Sequence, residues 1–308
     1  MGPLQRGLPV GDGAEVMAYA FSKGVNFVDT AELYETYDYI RAAAKLAGKY
    51  PVIATKSYAH DRETALKSIE KARAEMDIDV IDIFMVHEQE GRHTLEGHMQ
   101  AFEALLDAKA KGAIRAVGVS THYVEVVEAA SEIPWLDVVH PLINYAGLGI
   151  QDGGAEEMLS AIEAAHKAGK GIYAMKVFGG GNLLNDYIKC LEFVVGRPCF
   201  DSIALGMQSK GEVDMNIRVI DTMKNHLAGD EGNAGKSRYS GIEGIGDIMN
   251  SKRLHIESWC QGCGQCASRC GQDALWVSAS NKAEVVPDKC VLCGYCAAAC
   301  PDFAIKVC

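Results

Sequence analysis

Eight of the eleven cysteines fall into two tight runs near the C-terminal end of the chain. Cys260, Cys263, Cys266 and Cys270 form C-x2-C-x2-C-x3-C; Cys290, Cys293, Cys296 and Cys300 repeat it, with Pro301 after the last. Thiolates at this spacing suit iron and sulfide. Two-residue spacers bring three sulfurs onto one face of a four-iron cubane, and the fourth cysteine starts a short helix that points away and reaches the other cluster. The expected ligand sets are therefore crossed. Cys260, Cys263, Cys266 and Cys300 hold one cluster; Cys290, Cys293, Cys296 and Cys270 hold the other. Gly262, Gly264 and Gly294 allow tight turns that bring backbone N–H groups near sulfur. A pair of zinc sites is the competing reading, since zinc also takes C-x2-C, but it rarely takes this doubled four-cysteine spacing. Cys190 and Cys199 are expected to be buried free thiols, and Cys308 a terminal residue outside the pattern.

A second set of chemistry-bearing residues lies far upstream. Asp29 and Tyr34 follow the run Asn26-Phe27-Val28, Lys56 ends Val52-Ile53-Ala54-Thr55, and His87 ends Ile83-Phe84-Met85-Val86. An acid, a phenol, an ammonium and an imidazole at the ends of successive strands make a proton-transfer site. Taken singly, each has an ordinary explanation: Asp29 as a helix N-cap, Tyr34 as a packed aromatic, Lys56 as a solvated strand end, His87 as a satisfied polar residue. Their joint placement favours chemistry. His60, His93, His98, His122, His166, His226 and His255 share no metal-ligand spacing and read as ordinary polar residues.

The elements that must position these groups alternate between two kinds. Gly24–Ala31, Tyr50–Lys56, Val80–Glu88, Ala116–Thr121, Val138–Tyr145, Gly171–Phe178 and Phe200–Met207 are nearly continuous apolar runs, the signature of strands buried on both faces. Between them run helical stretches such as Arg62–Met76, Leu95–Lys111, Glu156–Ala168 and Val213–Leu227, several ending near a glycine (Gly48, Gly112, Gly169). This alternation means parallel strands with right-handed crossovers, and so many units favour an α/β fold of the (β/α)8 TIM barrel type. The count is one short. A helix, Ala14–Lys23, precedes the first visible strand, so the first of the expected eight strands is missing: either the start is truncated or miscalled, or the barrel has a gap. A gap there would leave unpaired edges at Val25–Asp29 and Ser202–Leu205. The expected organisation is a barrel over residues 1–228, a Gly- and Ser-rich linker over 229–254, and a small α+β cluster domain over 255–308.

Composition narrows the function classes. The net charge of −11, without a basic run, disfavours nucleic acid, whose affinity rests on Lys and Arg neutralising phosphates. No apolar run reaches the roughly 20 residues needed to span a bilayer, so no membrane insertion is expected. The cysteines fit metal binding better than disulfides, and the expected location is a reducing cytoplasm.

The cysteine region resembles a bacterial-type two-cluster ferredoxin over about fifty residues, departing from it at Gly271, where the family usually has proline. The upstream part resembles the aldo-keto reductase family over roughly residues 3–225. The motif F-x-D-T-A-x-x-Y at Phe27–Tyr34, the Ala54-Thr55-Lys56 segment and the strand-end His87 look like that family's catalytic tetrad. The resemblance implies that Tyr34 protonates a carbonyl oxygen, that Lys56 lowers the phenol's pKa, that Asp29 holds Lys56, and that His87 orients the carbonyl. It also implies a hydride from NADPH or NADH. Ser120 would hold the nicotinamide carboxamide, Asn144 would stand at the sixth-strand position, Lys210 near the adenosine phosphate and Asn216 against adenine. The Gly179-Gly180-Gly181 turn stands where the family's loop passes the pyrophosphate. Departures concentrate around the nucleotide: Glu35 follows the tyrosine in place of Gly, Thr121 and His140 replace Asn and Gln, and Glu212 stands where many members place an Arg. The expected activity is iron–sulfur oxidoreductase chemistry, interconverting a small carbonyl substrate and an alcohol with electron transfer through two [4Fe-4S] clusters to or from a protein donor or acceptor. Two rivals stand beside it: a non-catalytic barrel that scaffolds an electron carrier within a redox complex, and clusters that act as sensors or structural staples.

Overall fold

Seven short apolar runs pair side by side in chain order, each parallel to the next. They are β1 (Phe27–Asp29), β2 (Val52–Ser57), β3 (Ile81–Gln89), β4 (Ile114–Thr121), β5 (Val138–Pro141), β6 (Gly171–Ala174) and β7 (Ser202–Ile203). The computed structural model describes residues 8–227 and 252–307. The expected linker therefore lies outside the described residues except at 252–254, as do residues 1–7 and Cys308. Around the sheet run α1 (Val10–Ser22), α2 (Tyr37–Ala47), α3 (Arg62–Met76), α4 (Arg92–Gly97), α5 (Met99–Ala110), α6 (Val124–Glu132), α7 (Ala155–Lys167), α8 (Tyr187–Val194) and α9 (Lys210–Leu227). The result is an α/β barrel of the TIM type, nearly closed. Between sheet and helices lies the main apolar layer, with Ile53, Ile69, Phe84, Phe102, Val117 and Ile162 fully buried. Ala54, Met85, Val138 and Tyr173 fill the interior. β1, β5, β6 and β7 end earlier than the apolar runs suggest, although Thr30 N still bonds Ala54 O at 2.9 Å and Leu142 still bridges Met175.

No eighth strand joins β7 to β1 among the described residues, yet the seam between them is not a pair of bare edges. Among the described residues β1 and β7 do not pair with each other. Outside the seam, α1 meets α9, where Tyr19 Oη donates to Asp214 at 2.8 Å. Inside, Phe27 of β1 packs on the ring of Tyr173 from β6 at 4.9 Å, and Tyr173 Oη donates to Asp29 at 2.9 Å. Across this seam the described residues join through side chains in the interior in place of a backbone ladder.

The C-terminal module is built from β8 (Leu254–Ile256), α10 (Gln265–Arg269), β9 (Leu275–Val277), β10 (Ala283–Val285), α11 (Tyr295–Ala298) and β11 (Ile305–Val307). Its first and last strands pair antiparallel, as do β9 and β10. This module sits on the mouth of the barrel, at the loop after β6. Val307 N donates to Gly180 O at 2.9 Å. Asn182 Nδ2 bonds both Gly179 O (2.8 Å) and Ile305 O (2.9 Å), stitching loop to strand. Phe303, 3 % exposed, is driven between Leu142 and Met175 and covered by Leu148 and Ile150. At the far side Lys252 pairs with Glu212 at 2.7 Å, both nearly buried. Two glycines permit this approach. A Cβ on Gly294 would lie 2.5 Å from Asn182 O, and one on Gly181, at φ +87°, would lie 1.9 Å from Val307 O.

Gly181→Ala is accordingly expected to push β11 off the loop and to destabilise the protein by about 1–3 kcal/mol, the usual range for overpacking a tight contact. Urea denaturation of the two proteins checks this; an unchanged midpoint would mean that the contact is not tight in solution.

Candidate active site and cluster-binding module

Asp29 ends β1, Lys56 lies in β2, His87 lies in β3 and Tyr34 closes the short 3-10 turn Glu32–Tyr34 after β1, so the parallel sheet delivers all four to one end of the barrel. Lys56 Nζ, 1 % exposed, donates to Asp29 Oδ1 and to Thr30 O, each at 2.6 Å. Tyr34 Oη lies 3.5 Å from His87 Nε2. The structure thus brings the four expected residues together. Glu35, the departure beside Tyr34, takes a left-handed conformation (φ 51°) and points to solvent, which explains why a glycine suits that position.

The electrostatics correct one expectation. Lys56 does not lower the phenol's pKa: its Nζ is 5.2 Å from the Tyr34 ring centroid and is held by Asp29 and Thr30. Burial, and then the charges of Asp29 and Glu88, push Tyr34 well above the ordinary phenol value. Burial also lowers Lys56, partly offset by Asp29. Burial opposes ionisation of Asp29 too, but Lys56 and His140 overcome it and hold that carboxyl well below the usual range. His87 is pushed far down by burial and by Lys56, so its imidazole is neutral, and its Nδ1 has no hydrogen-bond partner among the described residues.

Further polar groups line the same mouth. His140 of β5 stacks on Tyr173 at 3.7 Å, meets Tyr173 O through Nδ1 at 2.7 Å, and places Nε2 3.5 Å from Asp29. His122, read from the sequence as an ordinary residue, follows β4 directly and lies 2.8 Å from Lys176 Nζ. Lys176 follows β6 and is pulled down to about 8 by burial. Tyr58 donates to Glu88 and packs its ring, tilted, against His87 at 4.6 Å. Glu88 (φ 50°) and Lys176 (φ 57°) both hold left-handed backbone, a strain that recurs at functional sites. Strand-end position was the signal that could have found His122 and Lys176, the same signal that found Lys56 and His87.

The residues expected to hold a nicotinamide nucleotide are engaged elsewhere. Ser120, fully buried, accepts from Glu88 N at 2.9 Å. Asn144, equally buried, bonds Leu148 N and Leu148 O, each at 2.9 Å. Asn216 accepts from Tyr187 Oη at 2.8 Å and donates to Glu212 O at 2.7 Å. Lys210 is exposed and faces Glu15 at 3.3 Å. The Gly179–Gly181 loop is covered by β11. These residues do not fit a nucleotide.

The cysteines do fit clusters. One cavity is lined by Cys260, Cys263, Cys266 and Cys300, a second by Cys270, Cys290, Cys293 and Cys296. In each set the four cysteines surround a common space, as ligands of a cubane do. Backbone N–H groups approach the sulfurs: Gly262 and Ala283 to Cys260 at 3.4 Å, Ala274 to Cys270 at 3.4 Å and Ala304 to Cys300 at 3.3 Å. Such bonds stabilise thiolate and tune cluster potential. Gly262, Gly264 and Gly294 all hold positive φ in the turns around the ligands. Cys190 and Cys199 are buried and free.

Comparison with known proteins agrees with this division. The family model described as the aldo/keto reductase family matches residues 8–197, and the 4Fe-4S binding domain matches residues 283–306. An aldo-keto reductase of Mycolicibacterium paratuberculosis (strain ATCC BAA-968 / K-10) is 25% identical over 140 residues, covering 42% of this chain and 48% of that protein. The chain thus spans about half the length of the curated relatives it matches. Among solved structures, PA4992, a candidate aldo-keto reductase of Pseudomonas aeruginosa, superposes with a TM-score of 0.60 at 20% identity over 69% of this chain and 81% of that one. The aldo-keto reductase AKR11C1 of Bacillus halodurans gives 0.56 at 15% over 70% and 85%. Both likenesses show the barrel fold. The chain belongs to the aldo/keto reductase family, and its barrel is joined to a 4Fe-4S binding domain.

Proposed function

We propose that this chain interconverts a small carbonyl compound and its alcohol at Tyr34, His87, Lys56 and Asp29, with two [4Fe-4S] clusters in the C-terminal module. The observation that carries this reading is the approach of Tyr34 Oη and His87 Nε2 to 3.5 Å above a buried Lys56–Asp29 pair. Two neutral donors at that spacing can both reach one carbonyl oxygen. The raised pKa of Tyr34 keeps its proton in place at rest, and an oxygen gaining alkoxide character is basic enough to take it. His87, neutral, orients the same oxygen. Lys56, fixed by Asp29 and Thr30 O, adds positive charge beneath the site as negative charge builds on the substrate. Lys176 carries this positive potential to the rim, beside a His122 that burial and Lys176 keep neutral. When bound, the clusters supply electrons one at a time, and a protein donor or acceptor exchanges them. NADPH or NADH, the hydride source that the resemblance implies, enters no step here, because its expected contacts are taken.

The engaged nucleotide contacts also favour a second reading, in which the barrel is a non-catalytic scaffold for an electron-transfer module. One variant separates the two. Protein with dithionite-reduced clusters, freed of excess reductant, is mixed anaerobically with a panel of aldehydes, ketones and dicarbonyls while cluster absorbance and alcohol product are followed. Tyr34→Phe is expected to slow reoxidation and product formation about 10²–10⁴-fold, the usual worth of a positioned acid. Equal rates in both proteins would leave only the scaffold.

The rate should also fall on the alkaline side as pH rises through about 8, where Lys176 loses its proton. Lys176→Met is expected to flatten that limb of the pH profile; a limb that persists in the variant assigns it to another group.

A further inference from the structure

Every feature expected to receive a nicotinamide nucleotide is met by the chain itself. Against the Gly179–Gly181 turn, where a pyrophosphate would pass, lies β11: Val307 N bonds Gly180 O at 2.9 Å, and the stem of Lys306 would clash with any side chain on Gly180, its Cδ lying 2.7 Å from a Cβ placed there. Deeper in the mouth sits the Phe303 ring, edge-on to His122 at 6.4 Å, with Lys306 Nζ 3.3 Å and Lys176 Nζ 5.1 Å from its centroid. Phe303 lies three residues after Cys300, whose carbonyl accepts from Phe303 N at 3.1 Å. At the adenosine end the Lys252–Glu212 pair closes the groove, and Glu212 Oε2 takes the amide of Gln208. The contacts are specific: Asn182 bonds loop and strand at once, and the Gly181 and Gly294 positions admit only a bare backbone.

We propose that the segment Phe303–Val307 permanently occupies the place of the nicotinamide nucleotide, so that this barrel binds neither NADH nor NADPH and its polar site receives electrons only through the cluster module. The inference rests on the carbonyl reading above and completes its balance. The carbonyl carbon and oxygen gain two electrons and two protons to give the alcohol. The electrons would come singly, through the module whose cysteines would hold the two clusters, from two molecules of a reduced low-potential one-electron donor protein, each oxidised once per turnover. One proton comes from Tyr34 and the other from solvent. Two single-electron steps also suit a carbonyl conjugated with a second unsaturated group, because conjugation stabilises the half-reduced state.

The full-length, cluster-loaded protein is titrated anaerobically with NADPH and then with NADH, following nucleotide fluorescence and cluster absorbance, with amide hydrogen exchange measured over residues 176–183 and 303–307. Neither nucleotide is expected to change any signal at millimolar concentration, and both segments should exchange slowly. Asn182→Ala, which removes the stitch without touching a tetrad residue or a cysteine, should speed exchange of both segments together. Saturable fluorescence with either nucleotide, or exchange in 176–183 that slows when nucleotide is added, would overturn the proposal. So would fast exchange of 303–307 in the unaltered protein. Nucleotide binding would leave the tetrad reaction standing; an unimpaired Tyr34→Phe enzyme would remove that reaction and leave the filled groove.

Discussion

The contact between one loop and one strand governs how the two halves of this protein relate. The loop after β6, Gly179–Asn182, offers bare backbone, and β11 lies on it through the Val307–Gly180 hydrogen bond and the double bond of Asn182. Backbone polar groups buried this way must find partners, and here each half satisfies the other. Phe303 then follows Cys300 into the barrel, filling an apolar slot that would otherwise be open between Leu142 and Met175. A ligand cysteine, an aromatic wedge and the rim of the polar site therefore become one continuous piece of structure.

Around that wedge the charges are arranged tightly. Asp29 is the hub, reached by Lys56, Tyr173 and His140 from three different strands. A buried carboxylate is costly unless it is paired and hydrogen-bonded, and these partners also bind β1 to β6 across the seam. The same group thus serves the site and the fold. Lys176 and Lys306, by contrast, have no carboxylate within ion-pair distance among the described residues. Burial pulls Lys306 down to about 6 and Lys176 to about 8, so the wedge lies between an amine that is mostly neutral at pH 7 and one that is mostly charged.

Much of this was legible in the sequence, and the reasons differ by residue. The cysteine runs are local, and their crossed sets follow from helix direction alone; the structure gathers Cys300 with the first run and Cys270 with the second. Asp29, Lys56 and His87 were legible because strand ends share one face of a parallel barrel. The acid strength of Tyr34 was not, because it depends first on how deeply the fold buries the phenol and then on the charges of Asp29 and Glu88 around it. Nor was the role of His122, which draws its meaning from Lys176 more than fifty positions later. Ser120, Asn144 and Asn216 match the family's positions by type and spacing, yet their hydrogen bonds go to the chain itself. Least legible was β11: its partner loop lies over a hundred residues upstream, and nothing in the periodicity of either segment points to the other.

Diffraction from anaerobically grown crystals, with anomalous data collected on both sides of the iron edge, tests the central claim most directly. The account predicts two groups of iron peaks, one ringed by Cys260, Cys263, Cys266 and Cys300 and the other by Cys270, Cys290, Cys293 and Cys296. It also predicts the Phe303 ring seated in the barrel mouth beside the first group. Iron in both cavities with the module lifted off the mouth, or with the Phe303 slot open, would contradict it.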